Sequence, residues 1–138
     1  MRYVAFLHQD EEPGFGISFP DFPGCVSAGD TVDEAILKGA EALAFHVEGM
    51  LADGEAIPAP RDLATIQADD SLAEWRAGAA FAYVPLVMDR GSPRRVNISL
   101  DPGLLSALDE AAKARGMTRS AFIASAAWNE ILGARAGV

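Results

Sequence analysis

Phe15-Gly16-Ile17-Ser18-Phe19-Pro20-Asp21-Phe22-Pro23-Gly24-Cys25-Val26-Ser27-Ala28 decides the architecture of the front of the chain. Phe15, Ile17 and Phe19 alternate with Gly16 and Ser18, the period of two expected of a half-buried strand. Pro20 to Gly24 is a turn, because two prolines and a glycine break the ladder around Asp21. Cys25 to Ala28 then reads as a short returning strand. Upstream, Tyr3 to His8 is apolar and β-prone, and Gln9-Asp10-Glu11-Glu12-Pro13-Gly14 turns it back. Three strands in close succession predict an antiparallel meander.

Downstream lies a strong helix signal. Thr31-Val32-Asp33-Glu34 fits a capping box, in which hydroxyl and carboxylate satisfy free amides at the helix start. Val32, Ile36, Ala40, Leu43, Val47 and Met50 fall on one face. Glu34 and Lys38 form a favourable pair on another, and Gly54 is the expected stop. Ile57-Pro58-Ala59-Pro60 is an extended connector. Ser71 to Ala77 predicts a short helix carrying Trp75. Phe81 to Val87 predicts a fourth strand, at an edge because of Pro85. The order β-β-β-α-β is that of an α+β layer with a helix packed on a sheet.

Gly91-Ser92-Pro93 divides the chain into residues 1–90, a linker at 91–93, and residues 94–138. Charge changes sign across it. Residues 1–90 hold five cationic residues against 16 carboxylates, net −11, and residues 91–138 hold six against four, net +2. An acidic body with a mildly basic tail suggests two partners of opposite charge character, although charge alone favours the simpler reading of an acidic surface that keeps the protein in solution. In the tail Val96, Ile98 and Leu100 alternate with Arg95, Asn97 and Ser99 as one short strand. Asp101-Pro102 starts a helix with buried stripe Leu104, Leu105, Leu108 and Ala112, which Gly116 closes. Thr118 caps a second helix, with Met117 stapled on Phe122 and Ile123, Ala126, Ala127 and Ile131 on its apolar side. The stretch from Gly133 to Val138 is expected to fray.

The last 45 residues are too few to bury a core alone, and their strand has no nearby partner. Pairing two copies, strand against antiparallel strand over four helices, removes both problems. Arg95, Asn97 and Ser99 would then face outward from a two-stranded ribbon of the size the DNA major groove admits. Arg suits guanine, Asn suits adenine, and Ser is permissive. Arg94 and the start of the second helix, Thr118, Arg119 and Ser120, would contact phosphate. The competing reading is a helical hairpin used only for dimerisation.

Arg95 to Pro102, followed by Ala114-Arg115-Gly116-Met117-Thr118-Arg119-Ser120-Ala121-Phe122-Ile123, resembles the ribbon-helix-helix repressor family. Gly16 to Thr31, above all its Phe-Pro-Asp-Phe-Pro-Gly-Cys turn, resembles HicB-type antitoxins over roughly residues 3–90. The second resemblance implies a partial ribonuclease-H-like front domain. It implies a partner, HicA, a small basic ribonuclease with a double-stranded-RNA-binding-like fold, which the front domain masks. It also implies that the tail binds the operator of the toxin–antitoxin operon as a homodimer or higher homo-oligomer.

No catalytic, cofactor or metal site is expected. A two-metal nuclease needs converging carboxylates, and Tyr3 to Leu7 carries none. His8 and His46 lack ligand spacing. Cys25 has no paired base and no disulfide partner, and reads as a small core residue in a reducing, cytoplasmic setting. No stretch is apolar for long enough to span a membrane. The alternative function is a stand-alone regulator whose front domain senses a ligand or oligomerises.

Overall fold

The computed structural model describes residues 1–9, 14–88 and 93–133, and the chain divides into two compact units, Met1–Asp89 and Arg90–Val138. Most of the expected 9–14 turn, the first two linker residues and the tail beyond residue 133 lie outside the described residues.

The first unit is built on four antiparallel strands, β1 (Arg2–Gln9), β2 (Phe15–Ser18), β3 (Val26–Gly29) and β4 (Ala80–Pro85), in the order β3-β2-β1-β4. The first three form the meander, with Leu7 opposite Ile17 and Ile17 opposite Ser27. β4 returns to the free side of β1 and ends at Pro85, which has no amide hydrogen to offer a further strand.

Helix α1 (Val32–Ala52) covers one sheet face. Thr31 accepts the Glu34 N–H on its hydroxyl at 3.1 Å, and Glu34 reaches back to the Asp30 N–H at 3.4 Å. The capping box thus closes on the residue before the cap. Ala35, Gly39, Ala40, Leu43 and Val47 are buried, whereas Val32 is exposed and Ile36 and Met50 are half-buried. The buried stripe is therefore rotated toward small residues, because α1 lies close on the sheet. A Cβ on Gly39 would come within 2.7 Å of Ile17 Cδ1.

The opposite face differs from a single helix-on-sheet layer. Val4 and Phe6, alternating with the residues that face α1, pack against Ile66, Leu63, Leu72, Trp75 and Phe81. These come from α2 (Leu63–Ala68), a 3-10 turn (Asp70–Leu72), α3 (Ala73–Arg76) and β4 itself. β1 is consequently buried on both sides, with Tyr3 to Leu7 all in the core. Trp75 donates its indole N–H to Ser18 Oγ at 2.8 Å, which satisfies a polar group on the sheet's inner face.

The second unit contains α4 (Pro102–Ala114) and α5 (Arg119–Leu132). The strand expected at 96–100 is absent: residues 93–101 form neither strand nor helix. A strand exists only by hydrogen bonding to another, and a single chain supplies none here.

Candidate functional site

The local chemistry of the second unit fixes its two helices firmly. The Asp101 carboxylate accepts the Leu104 N–H at 2.9 Å, and Pro102 occupies the first helical position. At the other end Gly116 takes φ +67°, its N–H bonds to Lys113 O, and the Met117 N–H reaches Ala112 O at 2.8 Å. This glycine closure needs a positive φ and ends α4 cleanly. Thr118 then caps α5, accepting the Ala121 N–H on its hydroxyl at 3.1 Å. Arg119 donates from Nε and Nη2 to the two carboxylate oxygens of Asp109, each at 2.8 Å. This bidentate pair ties the start of α5 to α4. It holds the Asp109 carboxyl below its ordinary range and raises the Arg119 guanidinium.

The apolar face of this unit is uncovered. Of the expected stripe on α4 only Ala112 is buried, while Leu104 is exposed and Leu105 and Leu108 are half-buried. On α5 Ile123 is half-buried and Ala126, Ala127 and Ile131 are exposed. Between the helices opens a hollow of about 580 Å³ lined by Ile98, Leu100, Leu104, Leu108, Phe122 and Ile123, with alanines of both helices. Val96 is 76% exposed and Ile98 57%. The expected buried stripes fail in the lone chain because two helices and an unpaired segment cannot enclose that many apolar groups.

Arg94, Arg95, Asn97 and Ser99 are all exposed on this segment. Thr118, Arg119 and Ser120 are together at the start of α5 and exposed, with the Arg119 guanidinium engaged by Asp109. Sequence pattern alone did not reveal that ion pair, since its partners lie ten residues apart on different helices.

In the first unit Asp21 is not a bare turn former. Its carboxylate accepts from Arg61 Nε at 2.6 Å and from the Arg61 backbone N–H at 3.1 Å, and Arg61 also reaches Asp69 at 3.0 Å. Cys25 is 3% exposed, and burial pushes its thiol up to about 11, so it is protonated at neutral pH and a poor nucleophile. His46 packs edge-on against Phe22, and His8 against Phe6. Among the described residues no three His, Cys, Asp or Glu side chains gather to hold a metal, and no helix is long and apolar enough to cross a membrane. On the outer side of α1 Phe45 is 79% exposed. It lies off the buried stripe, a signal present in the sequence as an aromatic between Glu41 and Glu48.

A family model described as HicB_like antitoxin of bacterial toxin-antitoxin system matches residues 3–127. A 14.9 kDa protein from the rep-hol intergenic region of Haemophilus phage HP1 is 34% identical over 123 residues, covering 88% of this chain and 91% of that protein. The crystal structure of the Burkholderia pseudomallei antitoxin HicB aligns with a TM-score of 0.55 at 32% identity, over 92% of this chain and 96% of that one. A chain of the HicA3 and HicB3 toxin-antitoxin complex aligns with a TM-score of 0.52 at 31% identity, over 65% of this chain and all of that one. A family match over nearly the whole chain, and a relative a third identical along most of its length, make this chain a member of the HicB_like antitoxin family of bacterial toxin-antitoxin systems.

Proposed function

We propose that this chain is the antitoxin of a type II pair that masks a HicA-like mRNA-cleaving ribonuclease with residues 1–90 and represses its own operon with residues 94–138. The first domain reads as a partial ribonuclease-H-like fold that serves as a binding platform and not as a nuclease. The second reads as half of a ribbon-helix-helix, with the paired strands supplied by two copies. Arg95, Asn97 and Ser99 read bases, and Arg94, Thr118, Arg119 and Ser120 hold phosphate. The protein acts in the cytoplasm, where the operator and the toxin's mRNA targets are.

One observation carries the two-copy reading: the apolar hollow of about 580 Å³ in the second unit, open beside an exposed segment that alternates Val96 and Ile98 with Arg95, Asn97 and Ser99. Apolar surface gathered in one patch, beside a segment whose backbone bonds are unmade, calls for a second copy of itself. Strand pairing would turn Val96, Ile98 and Leu100 into the hollow and leave the polar residues outside. The −11 charge of residues 1–90 supports a basic partner for the first unit, and kinship to a chain solved in a toxin complex supports its identity.

Ile98→Asp in the full chain tests the reading, since it places a carboxylate in the shared core. Sedimentation and operator titration are expected to show loss of the dimer and of DNA binding together. Operator affinity at the wild-type level with Ile98→Asp would refute it.

A further inference from the structure

We propose that the outer face of α1 around Phe45, with the edge of β3 beside it, is the surface on which the basic ribonuclease docks. This rests on the antitoxin reading above and names the site for it. Phe45 is 79% exposed and Val26, on edge strand β3, is 64% exposed. Between them runs a groove of about 400 Å³ whose floor is Cys25, Ala42, His46 and Gly49. Nothing lies within 4 Å of where a Gly49 Cβ would be, so the groove is open at that end of the helix.

A large aromatic standing clear of the surface beside an open groove is the form of an interface anchor. What surrounds it selects the partner. Glu41 and Glu48 lie four residues before and three after Phe45, and both are exposed, so a carboxylate flanks the ring on each side along the helix. The unit that carries them has a net charge of −11 over residues 1–90. An apolar anchor in an acidic rim fits a cationic surface of the kind that binds RNA phosphate. A second copy of this chain would bring the same carboxylates against each other, and like charges facing across an interface are costly. The occupant is therefore the toxin and not another antitoxin. Occupying this face would set the toxin's cationic surface against carboxylates in place of RNA.

The test uses the full chain and the HicA-like protein of its operon, with affinity read by calorimetry and oligomeric state by sedimentation. Phe45→Glu is expected to weaken toxin binding by roughly 30-fold or more, as for loss of a central aromatic anchor. Gly49→Arg fills the groove and places a cation in it. It is also favourable to the helix, since Arg replaces Gly in the last turn. That variant is expected to melt at or above the wild-type temperature and still bind toxin at least tenfold more weakly. The double change of Glu41 and Glu48 to Lys is expected to slow association and to weaken its acceleration at low salt, since residues 1–90 then carry −7 in place of −11. Wild-type affinity in both Phe45→Glu and Gly49→Arg would overturn the proposal while leaving the antitoxin reading intact. The same holds if these variants keep toxin binding and shift only the oligomeric state, which would make the face an interface between copies. Failure of the wild-type chain to bind the toxin at all would overturn the antitoxin reading and this site with it.

Discussion

Asp21 and Arg61 form the most enclosed charge pair among the described residues of the first unit. The Asp21 side chain is 3% exposed, and Arg61 meets it with both its guanidinium and its backbone N–H. Arg61 further donates to Asp69 at 3.0 Å and to Pro20 O at 3.3 Å, so it joins the turn after β2 to the segment leading into α2. Taking away one partner leaves an uncompensated buried charge, which costs more than the intact pair contributes. Arg61→Met keeps the stem and removes the charge, and is expected to cost roughly 2–4 kcal/mol in urea unfolding. An unchanged midpoint would mean that the network is not structural. Nothing local in the sequence reveals this pair, because its members lie 40 residues apart. If the second unit reads the operator as proposed, Asn97→Ala is expected to cost roughly 1–3 kcal/mol on operator DNA and to blur one base pair per half-site. Arg119→Ala is expected to weaken operator and scrambled DNA alike and to flatten the salt dependence. Because Arg119 is also clamped to Asp109, that variant should slightly lower the melting temperature, which Arg94→Ala should not. Isotherms at several salt concentrations separate these roles; equal loss on both DNAs for Asn97→Ala would remove the strand as the reading element.

Among the elements, α1 and the meander were legible because each carries its own signal. Strict alternation marks β2, and the Thr31 hydroxyl marks the start of α1. The precise face of α1 was less so, since packing chose Ala35 and Gly39 over Val32. Helix α2 is six residues long, too short for periodicity to register, and the coverage of the second sheet face follows only from long-range packing on Val4 and Phe6. In the second unit the caps at Asp101 and Thr118 and the glycine at 116 were readable, because capping is local. The strand was readable as a pattern but is not formed, since no other described segment of the chain pairs with it. The junction between β3 and α1 offers a test at this scale. A Cβ at Gly29 would come within 2.5 Å of Ala35 N and 2.8 Å of Glu34 C, both backbone atoms that cannot rotate away. Gly29→Ala must displace the first turn of α1, and is expected to cost roughly 1–3 kcal/mol as an overpacking change. Thermal melting checks this, and an unchanged melting temperature would show that the junction yields freely.

For the whole molecule, composition and structure point to a division of labour. The first unit closes its core, burying β1 on both faces, and carries the acidic charge. The second leaves its apolar face open and carries the excess of cations. In the proposed function the first unit therefore meets the toxin and the second a copy of itself. The sign change of charge across residues 91–93 was visible in the sequence, whereas the open hollow was not, since exposure is a property of the folded chain. The proposed function requires this protein to silence a ribonuclease by binding it. The most direct measurement is cleavage of an mRNA by the HicA-like toxin of the same operon, titrated with the purified full chain. Cleavage is expected to fall to background once the chain reaches stoichiometric ratio with the toxin. Undiminished cleavage in the presence of excess folded chain would contradict it.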